Sequence, residues 1–498
     1  MRSNVEILVS ISRVMYIKLY KKTGLMSIYK TKLFFSLIAF TAVFFSLWSP
    51  AGHFTSTPKY WWDEAFGIET AHTFLETGKL DITAQPHTTS GIAIALNANG
   101  FPLTIPLAGV FKIFGIGITQ ARVYMLIWLT IVIVAIFLFV KNFFGQDLAL
   151  LATLLITTFA PFYANGRTAT GDIPGFVFLL CGLWYIIEKN KYIQGGALLG
   201  LALVTKTSLY HMALPAIIFS LLILYKKKFF IPTLKASLGA LLVGIVWLAL
   251  LLPHPYNISG LTPLINFYRN PINKASLLEQ LPASFLEIAT SSSIVYFAAL
   301  GGILIAAYRK KILTDKQKMI FIFIGNYTIL QTVVFLRSPG WNRYLLAIEI
   351  LILMVFPFAL KTLFSHHKKT NILSSSLTSL IITIATLQSI QYLFFSNIFS
   401  RPNPMREANT INELLLREPE STIGFIDTPT VAALISGNRK YQILHIGGNT
   451  YAGKNPLDNA PELLPTYMYN IDTGHQETAK KYYQETLINN DLLLYKRK

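Results

Sequence analysis

The feature that most limits the fold is a succession of apolar runs. Most approach the ~17–25 residues that an α-helix needs to cross the hydrocarbon core of a bilayer. They lie near 32–50, 122–141, 147–164, 173–188, 193–208, 211–225, 229–252, 286–307, 318–336, 343–362 and 371–395, and the run at 193–208 is the weakest, being short and rich in glycine. The pattern predicts an all-α polytopic membrane protein with about 11 transmembrane helices. Composition agrees: 53% of the 498 residues are hydrophobic and 13% charged. Mean hydropathy is +0.49. A soluble core has no use for that much apolar surface.

Charge orients the runs. The formal net charge is +19, which in a soluble chain would suggest nucleic acid. Here the basic residues fall in short clusters between apolar runs, so the positive-inside rule accounts for them and no nucleic-acid partner is expected. The segment 1–31 carries Arg2, Arg13, Lys18, Lys21, Lys22 and Lys30 against a single Glu and is placed in the cytoplasm. Alternation from there puts EKNK (188–191), KKK (226–228), RKKILTDKQK (309–318) and HHKK (366–369) inside. One choice supports this threading. FPLTIPLAGVFKIFG (101–115) has two prolines and a lysine and is too short to span, so it is read as a helix lying along the outer surface.

The first run lacks an A-x-A cleavage pattern and is read as an anchor, with Met26 an alternative start. The membrane domain covers 32–396, with a long first outer loop at 51–121. From 397 to 498 no run could span, and STIGFIDTPTVAALISGNRKYQILHIGG (421–448) reads strand, capped helix, strand. A soluble α/β lobe of about a hundred residues is expected on the outer face. The single cysteine, Cys181, excludes an intrachain disulfide and a cysteine metal site.

The outer face collects unusual polar residues. The first loop begins YWWDEAFGIETAHTFLETGKL (60–80), in which Ala65, Ile68, Ala71 and Leu75 recur at helical spacing and Gly78 ends the helix. It opens on the aromatics Tyr60, Trp61 and Trp62 and the carboxylates Asp63 and Glu64. The next outer loop brings Arg167 and Asp172; Asp172 precedes Pro174 and reads equally well as a helix N-cap. Lys206 follows a purely apolar helix and calls for a partner anion. Arg269, Arg337 and Arg343 lie in or beside later outer loops. Snorkelling toward lipid headgroups explains any one of these cations. It does not explain their convergence with carboxylates on a face where few cations are expected. Together they suit a phosphate-bearing lipid, with Arg and Lys binding and stabilising the leaving phosphate. A carboxylate would then deprotonate an incoming hydroxyl. The aromatics would offer stacking or apolar surface to a sugar or isoprenoid. No P-loop, H-E-x-x-H or G-x-S-x-G motif occurs.

The order of these segments resembles a known family. An aromatic-Asp-Glu opening is followed by a surface helix, QARVY (120–124), APFYANGRTATGDIPGFVF (160–178), GLALVTKTSLYHMALP (200–215) and NRYLLAIEILI (342–352). The arrangement, over about residues 30–360, resembles the GT-C superfamily of polyprenyl-phosphate-dependent glycosyltransferases. Within that superfamily it resembles bacterial lipid A aminoarabinose transferases and the broader family related to protein O-mannosyltransferases. The resemblance implies a GT-C-type fold, Asp63 as the catalytic carboxylate with Glu64 its neighbour, and Asp172 near the reaction centre. It implies Lys206 and the Arg343–Tyr344 pair at the donor phosphate. The chain has NGFP (99–102) where the aminoarabinose enzymes carry Glu-Lys-Pro, which favours another sugar or acceptor. The expectation is an inverting transferase at the outer face of a bacterial inner membrane. It would move a sugar from a polyprenyl-phosphate donor to a hydroxyl of a lipid, glycan or protein. Some members of the superfamily use a divalent cation, although no closed metal site is visible here. A transporter or flippase for a lipid-linked glycan is the rival, but it should show charged residues at mid-membrane depth and an internal repeat.

Overall fold

The computed structural model describes residues 31–48, 57–90, 100–251, 281–282, 285–286, 292–310, 312–336, 342–364, 370–395, 404–446, 449–452, 464–469, 476–488 and 492–498. Over its described residues, each predicted span falls on helix. Among the described residues, six helices are long and apolar enough to cross a membrane: Ile118–Phe144, Thr207–Lys228, Phe230–Leu251, Asp315–Leu336, Asn342–Phe364 and Ser376–Phe394. The run at 147–164 is a bent pair, Gln146–Thr157 and Ala160–Gly166, turned by 68°. Pro161, in the first turn of the second piece, interrupts the ladder there. Shorter apolar helices occupy Thr31–Leu47, Asp172–Ile187, Tyr192–Thr205 and Ser293–Arg309. This is a multi-pass membrane protein. Among the described residues, helix Asn342–Phe364 is the most enclosed of these spans.

The glycines of the weakest run have a packing role. Helix Tyr192–Thr205 lies so close against Phe230–Leu251 that a Cβ on Gly196 would stand 1.9 Å from the Ala236 carbonyl oxygen. One on Gly239 would stand 2.0 Å from that of Ile193. In lipid, where there is little hydrophobic drive between helices, such close backbone approach is how neighbours gain packing.

Helix Phe101–Phe114 forms as expected, with Pro102 in its first turn and Pro106 within it. It packs against helix Trp62–Thr77 through an apolar cluster that includes Ala65, Ile68, Ala71, Leu103 and Leu107. Of the apolar positions predicted to face inward on Trp62–Thr77, Leu75 is the exception and is exposed.

The C-terminal lobe is built from helix Met405–Arg417 and a six-stranded mixed sheet. A hairpin in the first loop, β1 (Thr83–Gln85) with β2 (Thr88–Thr89), lies against this lobe. The lobe strands are β3 (Ile423–Ile426), β4 (Lys440–Ile446), β5 (Asn449–Ala452), β6 (Tyr467–Tyr469), β7 (Tyr483–Ile488) and β8 (Leu492–Arg497), in the order β5-β4-β3-β6-β8-β7. β3 runs parallel to β4 and to β6. The predicted strand–helix–strand is present, with a short helix Pro429–Ala432 between β3 and β4, although Thr428 makes no side-chain cap.

Candidate active site

Helix Trp62–Thr77 presents the first charged pair. Trp61 is extended, and Asp63 and Glu64 fill the first turn, where unpaired N–H groups and the helix dipole favour carboxylates. Gly78, at φ 73°, ends the helix in the left-handed region. The two carboxylates then diverge.

Asp63 Oδ2 accepts a hydrogen bond from Lys206 Nζ at 2.9 Å and another from Arg343 Nη2. These partners lie 143 and 280 residues away along the chain. The Lys206 and Arg343 side chains are 1% and 9% exposed, and Asp63 is 22% exposed. Burial would raise the Asp63 pKa, but the two cations outweigh it and hold the carboxyl well below the usual carboxylate range.

Lys206 is delivered by a break in the chain. Its backbone, at φ −151° and ψ 88°, ends helix Tyr192–Thr205 and starts the short helix Thr207–Tyr210. Two glycines make room for this break. A Cβ on Gly171 would lie 2.1 Å from the Thr205 carbonyl oxygen, and one on Gly100 would lie 1.7 Å from that of Val204. Arg343 sits in the 3-10 turn Asn342–Leu345, with its guanidinium 4.3 Å over the Trp61 ring and 5.9 Å from that of Tyr344. Gln331, fully buried on helix Asp315–Leu336, ties the two cation-bearing turns together. Its Nε2 donates to the Ser208 carbonyl at 2.9 Å and to the Tyr344 carbonyl at 3.2 Å.

The site also holds polar atoms with unused capacity. Arg343 Nε and Nη1 are buried with no hydrogen-bond partner among the described residues. The same is true of both carboxylate oxygens of Asp172, which is 1% exposed. Asp172 is the first residue of helix Asp172–Ile187; Gly171 holds the N-cap position, and no side-chain capping bond is made. The N-cap reading therefore does not describe this residue. It lies within electrostatic reach of Arg343 and Tyr344. Buried groups of this kind are costly unless something completes them.

Other predicted site residues lie elsewhere. Glu64 is fully buried and takes a bidentate pair from Arg122, Nε to Oε1 at 3.0 Å and Nη2 to Oε2 at 2.9 Å. The Ala169 N–H adds a third bond at 3.2 Å. Glu64 is thus a structural clamp and has no open face for catalysis. Arg122, the Arg of QARVY, also donates to the Pro58 carbonyl at 2.8 Å. Arg167 is enclosed; its Nη1 donates to the Trp48 carbonyl at 2.6 Å, beside Tyr392, so it braces the helices. Tyr60 is buried in the apolar cluster under the helix, and Trp62 turns outward with its ring edge-on to Phe66. Of the three aromatics, Trp61 meets the charged cluster. Arg269 and Arg337 lie outside the described residues. Among the described residues no three His, Cys, Asp or Glu side chains converge into a metal-holding group.

The architecture has solved counterparts. ArnT from Cupriavidus metallidurans bound to undecaprenyl phosphate superposes with a TM-score of 0.60 at 13% identity, over 93% of this chain and 97% of that one. An Archaeoglobus fulgidus oligosaccharyltransferase, tethered to an acceptor peptide, gives 0.52 at 12% identity, over 94% of this chain and 74% of its own. The chain has the GT-C fold. Within it, residues 104–256 match the family model of dolichyl-phosphate-mannose-protein mannosyltransferases. No curated protein matches the sequence. In this GT-C chain the matched stretch includes Arg122, Arg167, Asp172 and Lys206. Asp63 and Arg343 lie outside it.

Sequence reasoning named Asp63, Asp172, Lys206 and Arg343 but not the groups that hold them. Gln331 reads as one polar residue in an apolar helix, and nothing local shows that it reaches two distant carbonyls. An intramembrane amide needing partners is the one signal that could have drawn attention to it.

Proposed function

We propose that the chain is an integral membrane glycosyltransferase. It takes one sugar from a polyprenyl-phosphate carrier and passes it, with inversion, to a hydroxyl of a lipid, glycan or protein acceptor. The reaction takes place on the outer face of a bacterial inner membrane. The observation that carries this reading is the Asp63 carboxylate held by Lys206 and Arg343, with two further guanidinium nitrogens of Arg343, Nε and Nη1, buried and unspent. That is a donor set for a phosphate oxyanion. The binding of undecaprenyl phosphate by ArnT, a protein of the same fold, supports this assignment.

The chemistry follows from the arrangement. The carrier phosphate binds Lys206 and Arg343 and draws them away from Asp63. The carboxylate, which is a weak base while both cations hold it, becomes more basic when the donor is in place. Asp63 then removes the proton of the acceptor hydroxyl as its oxygen bonds to the anomeric carbon. The bond from that carbon to the phosphate oxygen breaks, and Lys206 and Arg343 hold the charge left on the carrier phosphate. Asp172, a buried acceptor without a partner, orients the incoming hydroxyl. Trp61 keeps the guanidinium plane in place.

The test is mass spectrometry of lipid-linked sugars and surface glycoconjugates in cells carrying the native chain or Asp63→Asn at matched membrane levels. One conjugate should lose a single sugar while the corresponding polyprenyl-phosphate sugar accumulates. Unchanged profiles would refute the assignment and favour transport of a lipid-linked glycan.

A further inference from the structure

The helix that presents Asp63 is gripped at its other end by the C-terminal lobe. Glu69, fully buried at mid-helix, receives Lys440 Nζ at 2.9 Å; Lys440, 1% exposed, opens strand β4. Gln442, two residues further along β4, donates to Glu69 Oε1 and Oε2 at 3.2 and 3.3 Å. The Thr83 N–H of the first-loop hairpin adds a bond to Oε1 at 3.3 Å. Lys440 also donates to the Ala432 carbonyl at 2.8 Å. Toward the helix C-terminus, Glu76 pairs with His72 at 3.0 Å and accepts from Ser436 of the lobe at 3.1 Å. Gly437 packs in so closely that a Cβ there would meet Glu76 Oε2 and Thr83 Oγ1 at 2.7 Å.

A surface tether would not need a desolvated ion pair. An interior charge is tolerated only when its partners are complete, and this one has a full set drawn from three segments. We infer that the lobe is a positioning element of the catalytic site: the Glu69–Lys440 pair fixes helix Trp62–Thr77 so that Asp63 meets Lys206 and Arg343 in register. The inference rests on the transferase reading for its kinetic consequence, but the clamp itself is testable without it. Lys206 and Arg343 reach the site from other helices. Loosening the clamp should therefore displace the base more than the phosphate ligands. A misplacement of about 1 Å at a reacting group can cost roughly a hundredfold in rate.

The experiment uses the full chain in nanodiscs and three variants: Lys440→Met, Glu69→Gln and the two combined. Each single change leaves one buried charge without its partner, whereas the double change removes both. Hydrogen exchange followed by mass spectrometry should show residues 62–77 exchanging at least about tenfold faster in each single variant. Helix Asn342–Phe364 should stay at the native rate, and the double variant should return toward it. In the transfer assay kcat should fall about ten- to a hundredfold in the single variants. The Kd for undecaprenyl phosphate should not rise, because a displaced Asp63 competes less well for Lys206 and Arg343, and the double variant should recover much of kcat. Native exchange over 62–77 in both single variants would overturn the inference. So would a rise spread equally over Asn342–Phe364, or an unchanged kcat. If native protein neither binds undecaprenyl phosphate nor transfers sugar, the transferase reading fails, and the exchange data still decide whether the lobe holds the helix.

Discussion

Replacing Asp63 by asparagine should move binding and turnover in opposite directions. In the resting site Asp63 Oδ2 takes one charge-assisted bond from Lys206 and one from Arg343. Such bonds are worth about 1.5–3 kcal/mol each in net terms. The carboxylate is 22% exposed, so solvent screening favours the lower end, about 1.5 kcal/mol per bond. A carrier phosphate has to displace both, an opposition of up to about 3 kcal/mol. An asparagine cannot hold the two cations as an anion does, so Asp63→Asn should bind undecaprenyl phosphate roughly ten- to a hundredfold more tightly. Loss of the base should lower kcat by about 10²–10⁴. Carrier binding can be followed by tryptophan fluorescence, since Trp61 lies against Arg343, and turnover by transfer of a radiolabelled sugar. Weaker or unchanged binding by the variant would refute the idea that the phosphate and Asp63 compete for the same cations. Native turnover would refute the assignment of the base.

Three further outcomes follow from the same geometry. Because Lys206 and Arg343 overcome the effect of burial and depress the Asp63 pKa, this pair stabilises the fold at neutral pH and loses that contribution only under strong acid, as pH falls through the folded-state value. In the donor complex the phosphate shares those cations, so the acid limb of kcat should lie at higher pH than that of kcat/KM; coincident limbs would contradict the mechanism. Arg122→Met strands the fully buried Glu64 and should destabilise the protein by about 3–5 kcal/mol. Adding Glu64→Met should recover most of this in thermal unfolding in detergent. Gly171→Ala drives a Cβ to 2.1 Å from the Thr205 oxygen and 3.1 Å from Lys206 Cβ, so it should weaken undecaprenyl phosphate binding at least about tenfold. Gly109→Ala, whose Cβ would meet nothing within 4 Å, is the matched control and should bind normally.

The apolar run lengths and the spacing of basic clusters sufficed for a multi-pass helical architecture, because each span must satisfy its own backbone within lipid and so declares itself locally. The same held for the α/β lobe, where Ile423–Ile426 and Lys440–Ile446 announce strands around a proline-led turn. Residue type also singled out Asp63, Asp172, Lys206 and Arg343, since charges at membrane boundaries are costly without a purpose. Partner choice was not legible. Asp63 and Glu64 are adjacent in the chain and equal in charge, and only the helix phase sends one to Lys206 and Arg343 and the other to Arg122. Arg167 and Arg343 look alike as outer-loop arginines, yet the first braces the Trp48 carbonyl and the second faces the charged cluster. Glu69 and Gln442, 373 residues apart, meet because the lobe folds back on the first loop. Sequence sets which groups are too polar to leave alone. The packing of distant segments decides which of them answer one another, because a charge's energy depends on neighbours that no local pattern encodes.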